Sequence, residues 1–83
     1  SEDDQLLVWF VPRKLIKKKT TRGKEYWILK VVDSNNAMVD IKCWNPTDKD
    51  TIYVNQPYMA KLDYSEQWGF STRSIRRNFR LLG

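Results

Sequence analysis

The sequence predicts an all-β fold, a small closed barrel of five strands with little or no helix. Apolar and polar residues alternate through residues 22–46 on both sides of a polar turn, and a long apolar run fills residues 6–16. Alternation with a period of two is typical of strands, because successive side chains point to opposite faces. A chain of 83 residues forms one small domain, and closing its sheet into a barrel protects the strand edges.

The central hairpin, residues 22–46, has one apolar face and one mixed face. The apolar face consists of Trp27, Leu29, Val31, Ala37, Val39, Ile41 and Cys43. The mixed face consists of Tyr26, Ile28, Lys30, Val32, Met38, Asp40, Lys42 and Trp44. Residues 33–36 between the strands read Asp-Ser-Asn-Asn, and these side chains favour a turn because they bond nearby backbone groups. We expect the apolar face to line the core and the mixed face to be free for a ligand.

Residues 6–16 are expected to form a long first strand that bends near Pro12. Their near-continuous hydrophobicity indicates a strand that is covered on both sides for part of its length. Proline donates no backbone hydrogen bond, so within a strand it marks a bend, a bulge or an edge position. A strand that bends midway and takes part in both halves of the sheet is consistent with both observations. Residues 17–24, KKKTTRGK, are then expected to form a flexible basic loop with Gly23 as its hinge.

The second half of the chain predicts two more strands, at residues 58–63 and 70–75. Residues 45–56 are polar, show no helical period and are expected to form a loop, in which residues 51–54 could add a short strand. Residues 76–82 either extend the last strand or turn into a short helix.

Five strands with a long, bent first member are the features of the OB-fold, a barrel that binds ligands through the loops after its first and fourth strands. The lysines of residues 17–24 fall in the first of these loops, and Trp68 falls in the second, a turn at residues 64–69. An SH3-like barrel has a similar strand count and is the alternative, which strand order distinguishes.

The net charge of +5 is concentrated in two segments. The basic residues of these segments are Lys17, Lys18, Lys19, Arg22 and Lys24 in the first, and Arg73, Arg76, Arg77 and Arg80 in the second. A polyanion such as nucleic acid is the commonest partner of such clusters, and solvated surface charge is the alternative.

Cysteine and histidine usage excludes several kinds of site. Cys43 is the single cysteine and the chain has no histidine, so there is neither a disulfide framework nor a zinc site of the usual spacing. We interpret Cys43 as a small core residue, and expect no cofactor. The sequence has no apolar run that could span a bilayer and no signal peptide, which indicates a protein of the cytoplasm or a comparable reducing compartment without a membrane partner.

The chain begins with an acidic segment, Ser-Glu-Asp-Asp. Residues 1–5 are predicted to be a disordered tail and residues 6–83 a single domain. The chain is expected to be either processed or cut from a larger protein, whose other domains are then expected partners.

Single-stranded nucleic acid is bound by aromatic rings that stack on bases and by cations that follow the phosphates. Trp44 and Tyr26 are the stacking candidates, although each could instead pack against a loop or a neighbouring domain. Trp68 either contacts the ligand or folds over the barrel mouth. Asp40 would repel phosphate unless it pairs with Lys30 or Lys42 or accepts a hydrogen bond from a base. The predicted nucleic-acid-binding residues are Lys17, Lys18, Lys19, Arg22, Lys24, Tyr26, Ile28, Lys30, Lys42, Trp44, Tyr64, Trp68, Arg73, Arg76 and Arg77.

Two segments of the chain also resemble segments of a known protein family. Residues 20–33, TTRGKEYWILKVVD, and residues 39–46, VDIKCWNP, resemble the nucleic-acid-binding OB domain in the alpha subunit of bacterial DNA polymerase III, and more broadly the tRNA-anticodon-binding type of OB-fold. The matching positions are Thr20, Gly23, Lys24, Asp33, Asp40 and Trp44. The turn after Asp33 lacks the family's usual glycine, which is compatible with a divergent or viral relative.

The expected function is therefore non-catalytic binding of single-stranded DNA or RNA, with DNA favoured, by an accessory module of a replication or repair protein. The chain shows no histidine, Gly-rich phosphate loop or nucleophile motif that would indicate an enzyme. The alternative is a protein-interaction module, in which the aromatic face or the exposed arginines dock a partner subunit.

Overall fold

Strands make up most of the computed structural model, which describes residues 5–83. The elements in chain order are β1 (Leu6–Lys19), β2 (Glu25–Asp33), β3 (Met38–Trp44), β4 (Tyr58–Ser65), β5 (Gly69–Thr72), α1 (Ile75–Asn78) and β6 (Phe79–Leu81). Of the predicted acidic tail, residues 1–4 lie outside the described residues. No helix within residues 5–83 has the length and apolar character needed to cross a bilayer.

The barrel closes because β1 pairs with two different strands. Its first part, Leu6 to Phe10, pairs with β4, and the part from Phe10 to Lys19 pairs with β2. The order around the barrel is β1-β2-β3-β5-β4 and back to β1, with β3 and β5 parallel and the other pairs antiparallel. The predicted all-β, five-stranded OB-like barrel is confirmed, and this strand order favours it over the SH3-like alternative.

The predicted bend of the first strand is a β-bulge next to Pro12. The register with β2 shifts between Pro12 and Lys14, and the Pro12 carbonyl accepts a hydrogen bond from the backbone N–H of Asn55 at 2.7 Å. The bulge changes which residues point inward, because Pro12 is buried and the next inward position is Leu15.

The prediction that residues 17–24 form one flexible loop is wrong. Lys17, Lys18 and Lys19 belong to β1, where they pair with residues 27, 26 and 25 of β2. Only residues 20–24 form the connection, and it is a hydrogen-bonded turn. The backbone N–H of Thr20 donates to the Lys24 carbonyl at 2.8 Å, and Gly23 has the positive φ of 83° that the turn needs.

The core is built from inward positions of the strands and from one helical residue. Its buried hydrophobic members are Phe10, Trp27, Leu29, Val31, Ile41, Cys43, Tyr58, Ala60, Leu62 and Ile75. The apolar face predicted for the central hairpin accounts for half of them. Its two exceptions lie at the turn, where Ala37 is exposed and Val39 is half-buried.

Two predictions for the second half of the chain are wrong in detail. Residues 51–54 form no strand, because the backbone N–H of Tyr53 donates to the Tyr58 hydroxyl at 2.9 Å instead of joining a ladder. The last barrel strand ends at Thr72 rather than at residue 75, because Ser74 caps α1 by accepting a hydrogen bond from the Arg77 N–H at 3.2 Å. The short β6 then adds to the edge of β4.

Candidate functional site

An aromatic pair lies at one end of the mixed face. Tyr26 of β2 and Trp44 of β3 are directly opposite in the antiparallel register, and their ring centroids are 5.3 Å apart with an interplanar angle of 37°. Both side chains are half-buried, so the rings pack on each other and on the sheet while part of each stays accessible. Neighbouring aromatic rings on a sheet surface are suited to stacking with flat ligands.

Cations from two other elements lie beside this pair. Lys24 from the turn after β1 and Arg73 from the segment after β5 line one surface cavity with Tyr26 and Trp44. The cavity has a volume of about 340 Å³, and its remaining lining residues are Thr20, Glu25 and Asn45. Lys24 is held in place because its backbone N–H donates to the Thr20 hydroxyl at 3.1 Å. The tight turn therefore fixes where the Lys24 side chain leaves the backbone.

The site extends along β3 to Trp68, which lies in the turn between β4 and β5. The Lys42 ammonium lies 4.9 Å from the centroid of the Trp68 ring, a cation–π contact, and Lys42 is two residues before Trp44 on the same face. The Trp68 side chain is 58% exposed, and its backbone is held by a hydrogen bond from its N–H to the Ser65 hydroxyl at 2.9 Å. The structure thus places Trp68 beside the mixed face rather than over the barrel mouth.

Tyr64, another of the predicted nucleic-acid-binding residues, does not belong to the mixed face. It occupies the inward register of β4, two residues after the buried Leu62, and its ring packs against Phe70 with centroids 5.0 Å apart. Its ring is exposed at the end of the barrel and does not extend the mixed face.

The three lysines at the end of β1 are divided between two faces. Lys18 is opposite Tyr26 and points outward, whereas Lys17 is opposite the buried Trp27 and its ammonium lies 5.0 Å from the centroid of that ring. Lys19 shares the inward register of Lys17. Of the three predicted phosphate contacts, only Lys18 lies next to the aromatic pair.

The mixed face extends onto β1 through two residues that the sequence analysis missed. Ile16 is opposite Ile28, and Lys14 is opposite Lys30, so both belong to the outward row that contains Lys18. Both lie within the predicted first strand, but a period of two counted from the buried Phe10 would have placed them on the inner face, because the bulge at Pro12 reverses the alternation.

The arginines are also divided. Arg73 lines the cavity beside the aromatic pair, and it also lines a second cavity together with Arg76 and the loop carboxylates of Asp48 and Asp50. Arg77 lines a groove on another side of the barrel. Arg22 is exposed in the turn after β1.

One acidic residue on the mixed face is already paired. The Asp40 carboxylate accepts two hydrogen bonds from the Lys30 ammonium, at 3.1 and 3.2 Å, and both side chains are partly exposed. Lys30 was one of the partners predicted for Asp40. The pair reduces both the repulsion of an anion by Asp40 and the attraction of one by Lys30.

Comparison with models of protein families, with curated proteins and with solved structures finds no match to this chain. The resemblance to the polymerase OB domain therefore stays a prediction, and the site is interpreted from its own geometry. The described residues include no group of three or more Cys, Asp or Glu side chains that could hold a metal ion.

Cys43 is expected to be unreactive. Its burial, together with the charge of Asp50, raises the pKa of the thiol from 9.0 to about 12, so very little thiolate forms at pH 8. Alkylation by iodoacetamide at pH 8, followed by mass spectrometry, should be at least about tenfold slower in the folded domain than in urea. Equal rates in the two conditions would show that the thiol is accessible.

Proposed function

We propose that this domain binds single-stranded nucleic acid, DNA in preference to RNA, without catalysing a reaction on it. The observation that supports this most is a continuous row on the outside of the barrel, in which Trp68, Lys42, Trp44, Tyr26 and Lys24 follow one another. Three rings and two cations lie along it, which is the arrangement that binds unpaired bases and the phosphates between them.

The rings and the cations of the row have different roles in the proposed binding. Tyr26, Trp44 and Trp68 offer ring surfaces to bases, and a base can use them only when it is unstacked from a duplex. Lys24, Arg73 and the neighbouring lysines contact phosphates, which supplies affinity without sequence choice. We expect binding of mixed sequences with weak preference, and weaker binding of the matching duplex.

The proposed setting is a cytoplasmic replication or repair protein in which this domain is an accessory module. The support for it is the resemblance of residues 20–33 and 39–46 to a polymerase OB domain. In that setting the domain holds a strand near an active site that another part of the protein supplies.

Removing three cations from the row should flatten the salt dependence of binding. For the triple variant Lys24→Gln/Lys42→Gln/Arg73→Gln, each lost phosphate contact lowers the slope of log K against log salt by about 0.7 for single strands. We therefore expect a total decrease of about 2 when a labelled oligo(dT) of about 12 nucleotides is titrated by fluorescence anisotropy at several salt concentrations.

The matched control removes the same charge from another side of the barrel. Lys61, Arg77 and Arg80 are exposed and line a groove away from the mixed face, so their joint replacement by glutamine should leave the slope nearly unchanged. If the slope of log K against log salt decreases equally in both triple variants, the net charge of the domain, and not this row, attracts the strand.

Asp40→Asn should strengthen binding of the strand. The change removes a negative charge from the mixed face and releases the Lys30 ammonium, now 3.1 Å from the carboxylate, for phosphate. We expect roughly a two- to fivefold gain in affinity, and a loss of unfolding free energy below about 1 kcal/mol because exposed ion pairs stabilise little. Asp48→Asn, in the loop after β3, is the control with the same charge change. An equal gain in both variants would mean that only net charge matters.

A further inference from the structure

A second surface on the barrel has a different character from the mixed face. The outward residues of β1, β4 and β6 form a groove that we call the β4 groove, with a cavity of about 640 Å³. Its described lining residues are Gln5, Leu7, Met59, Lys61, Arg77, Asn78, Phe79 and Arg80.

The floor of the β4 groove is apolar although it faces solvent. Leu7 is 66% exposed, and Met59 is directly opposite Trp9, whose side chain is 37% exposed. Leu7 and Trp9 share the outward face of β1, since they are two residues apart on the strand. Leu7 and Met59 thus line the groove and Trp9 lies beside it, and apolar side chains grouped on the outside of so small a barrel are typical of a contact surface.

Cations surround this floor. Lys61 is opposite Leu7, Arg80 is opposite Met59, and Arg77 projects from α1 into the same cavity. All three side chains are exposed, and the described lining of the cavity contains no carboxylate. The groove is therefore complementary to a negatively charged partner that also has an apolar side chain to bury.

We propose that the β4 groove docks an acidic segment of another protein through an apolar anchor residue. Aliphatic side chains such as Leu7 and Met59 offer little to a stacked base, whereas methionine, tryptophan and arginine are enriched at protein interfaces. The groove takes one short segment, which is the size of a weak, reversible contact rather than of an obligate interface. This proposal does not depend on nucleic-acid binding at the mixed face.

The experiment uses a synthetic peptide of about 12 residues with aspartates at alternate positions and two leucines at its centre. The ¹⁵N-labelled domain is titrated with it up to about 1 mM, and amide shifts are followed. We expect saturable shifts at Leu7, Met59 and Lys61 and small changes at Tyr26 and Trp44. A peptide in which the leucines are replaced by serine should bind at least about fivefold more weakly, because it keeps the charge and loses the anchor.

Two variants of the domain make the test specific. Arg77→Glu/Arg80→Glu should weaken binding of the peptide at least about tenfold, since both exposed side chains then repel it. Lys24→Glu/Lys42→Glu, on the mixed face, is the control with the same charge change and should leave the peptide affinity nearly unchanged. The amide spectrum of each free variant verifies that the barrel is folded.

Several results would overturn the proposal. One is the absence of shifts at Leu7, Met59 and Lys61 at the highest peptide concentration, and another is equal loss of binding in both charge variants. Oligo(dT) that shifts the same residues and displaces the peptide would make the groove a nucleic-acid surface. If the groove resonances move in a Glu2→Gln/Asp3→Asn/Asp4→Asn variant without peptide, the chain's own acidic segment is the occupant.

Discussion

Replacing Phe10 by alanine is expected to lower the free energy of unfolding by about 3–5 kcal/mol, the range for a large buried aromatic residue. The Phe10 side chain is fully buried, stacks on Tyr58 with ring centroids 5.8 Å apart, and meets the edge of Phe79 at 5.4 Å. Phe10 is also the residue at which β1 changes partners, since it pairs with β4 and with β2. Its loss removes core packing where the barrel closes.

Urea denaturation followed by circular dichroism measures this effect, and Trp9→Ala is the neighbouring control. Trp9 precedes Phe10 on the strand but points outward and is 37% exposed, so its removal leaves no internal cavity. If Phe10→Ala destabilises the domain no more than Trp9→Ala, the closure between β1 and β4 does not depend on this aromatic cluster. Because small domains have only about 5–15 kcal/mol of stability, Phe10→Ala should be close to unfolding at 37 °C.

The sequence was sufficient to predict the parts of the fold that depend on local pattern. The hairpin of β2 and β3 combines a period of two with strong turn chemistry, and the bend near Pro12 follows from a missing backbone donor. The end of β1 was missed because consecutive lysines give no strand signal of their own. Their conformation is set by pairing with residues 25–27, which is a contact between segments.

The two wrong predictions in the second half of the chain have a similar cause. They depend on contacts between residues that a local sequence pattern does not reveal. Residues 51–54 look like a strand, but the Tyr58 hydroxyl takes the N–H of Tyr53. The last strand ends early because Thr72 and Ser74 turn the chain into α1, with the Asn78 side chain donating to the Thr72 hydroxyl at 3.0 Å.

The candidate site was predictable to the extent that it lies within one hairpin. Tyr26 and Trp44 share a face by simple alternation, and their register follows from the short turn between the strands. The contact of Lys42 with Trp68 requires β5 to lie beside β3, which only barrel closure provides. That Lys18 and not Lys17 faces the site depends on the bulge at Pro12, because one extra residue reverses the faces of everything that follows.

Trp44→Ala is expected to weaken binding of oligo(dT) by about 1–3 kcal/mol, or roughly 5- to 150-fold, the cost of losing one stacked base. Trp44 is the central ring of the row, next to Tyr26 on one side and two residues from Lys42 on the other. The salt slope should stay nearly the same, because the lost contact carries no charge. Fluorescence anisotropy at several salt concentrations measures the affinity and the slope together.

The matched control is again Trp9→Ala, since it removes the same ring from the outer surface of the barrel away from the row. Trp9→Ala should leave the oligo(dT) affinity within about twofold of that of the unchanged domain, whereas Tyr26→Ala should resemble Trp44→Ala because the two rings pack on each other. Unchanged affinity in Trp44→Ala, with an intact amide spectrum, would remove the stacking role from the mixed face. A loss in Trp44→Ala accompanied by a flatter salt slope would indicate that the ring acts by positioning the cations beside it.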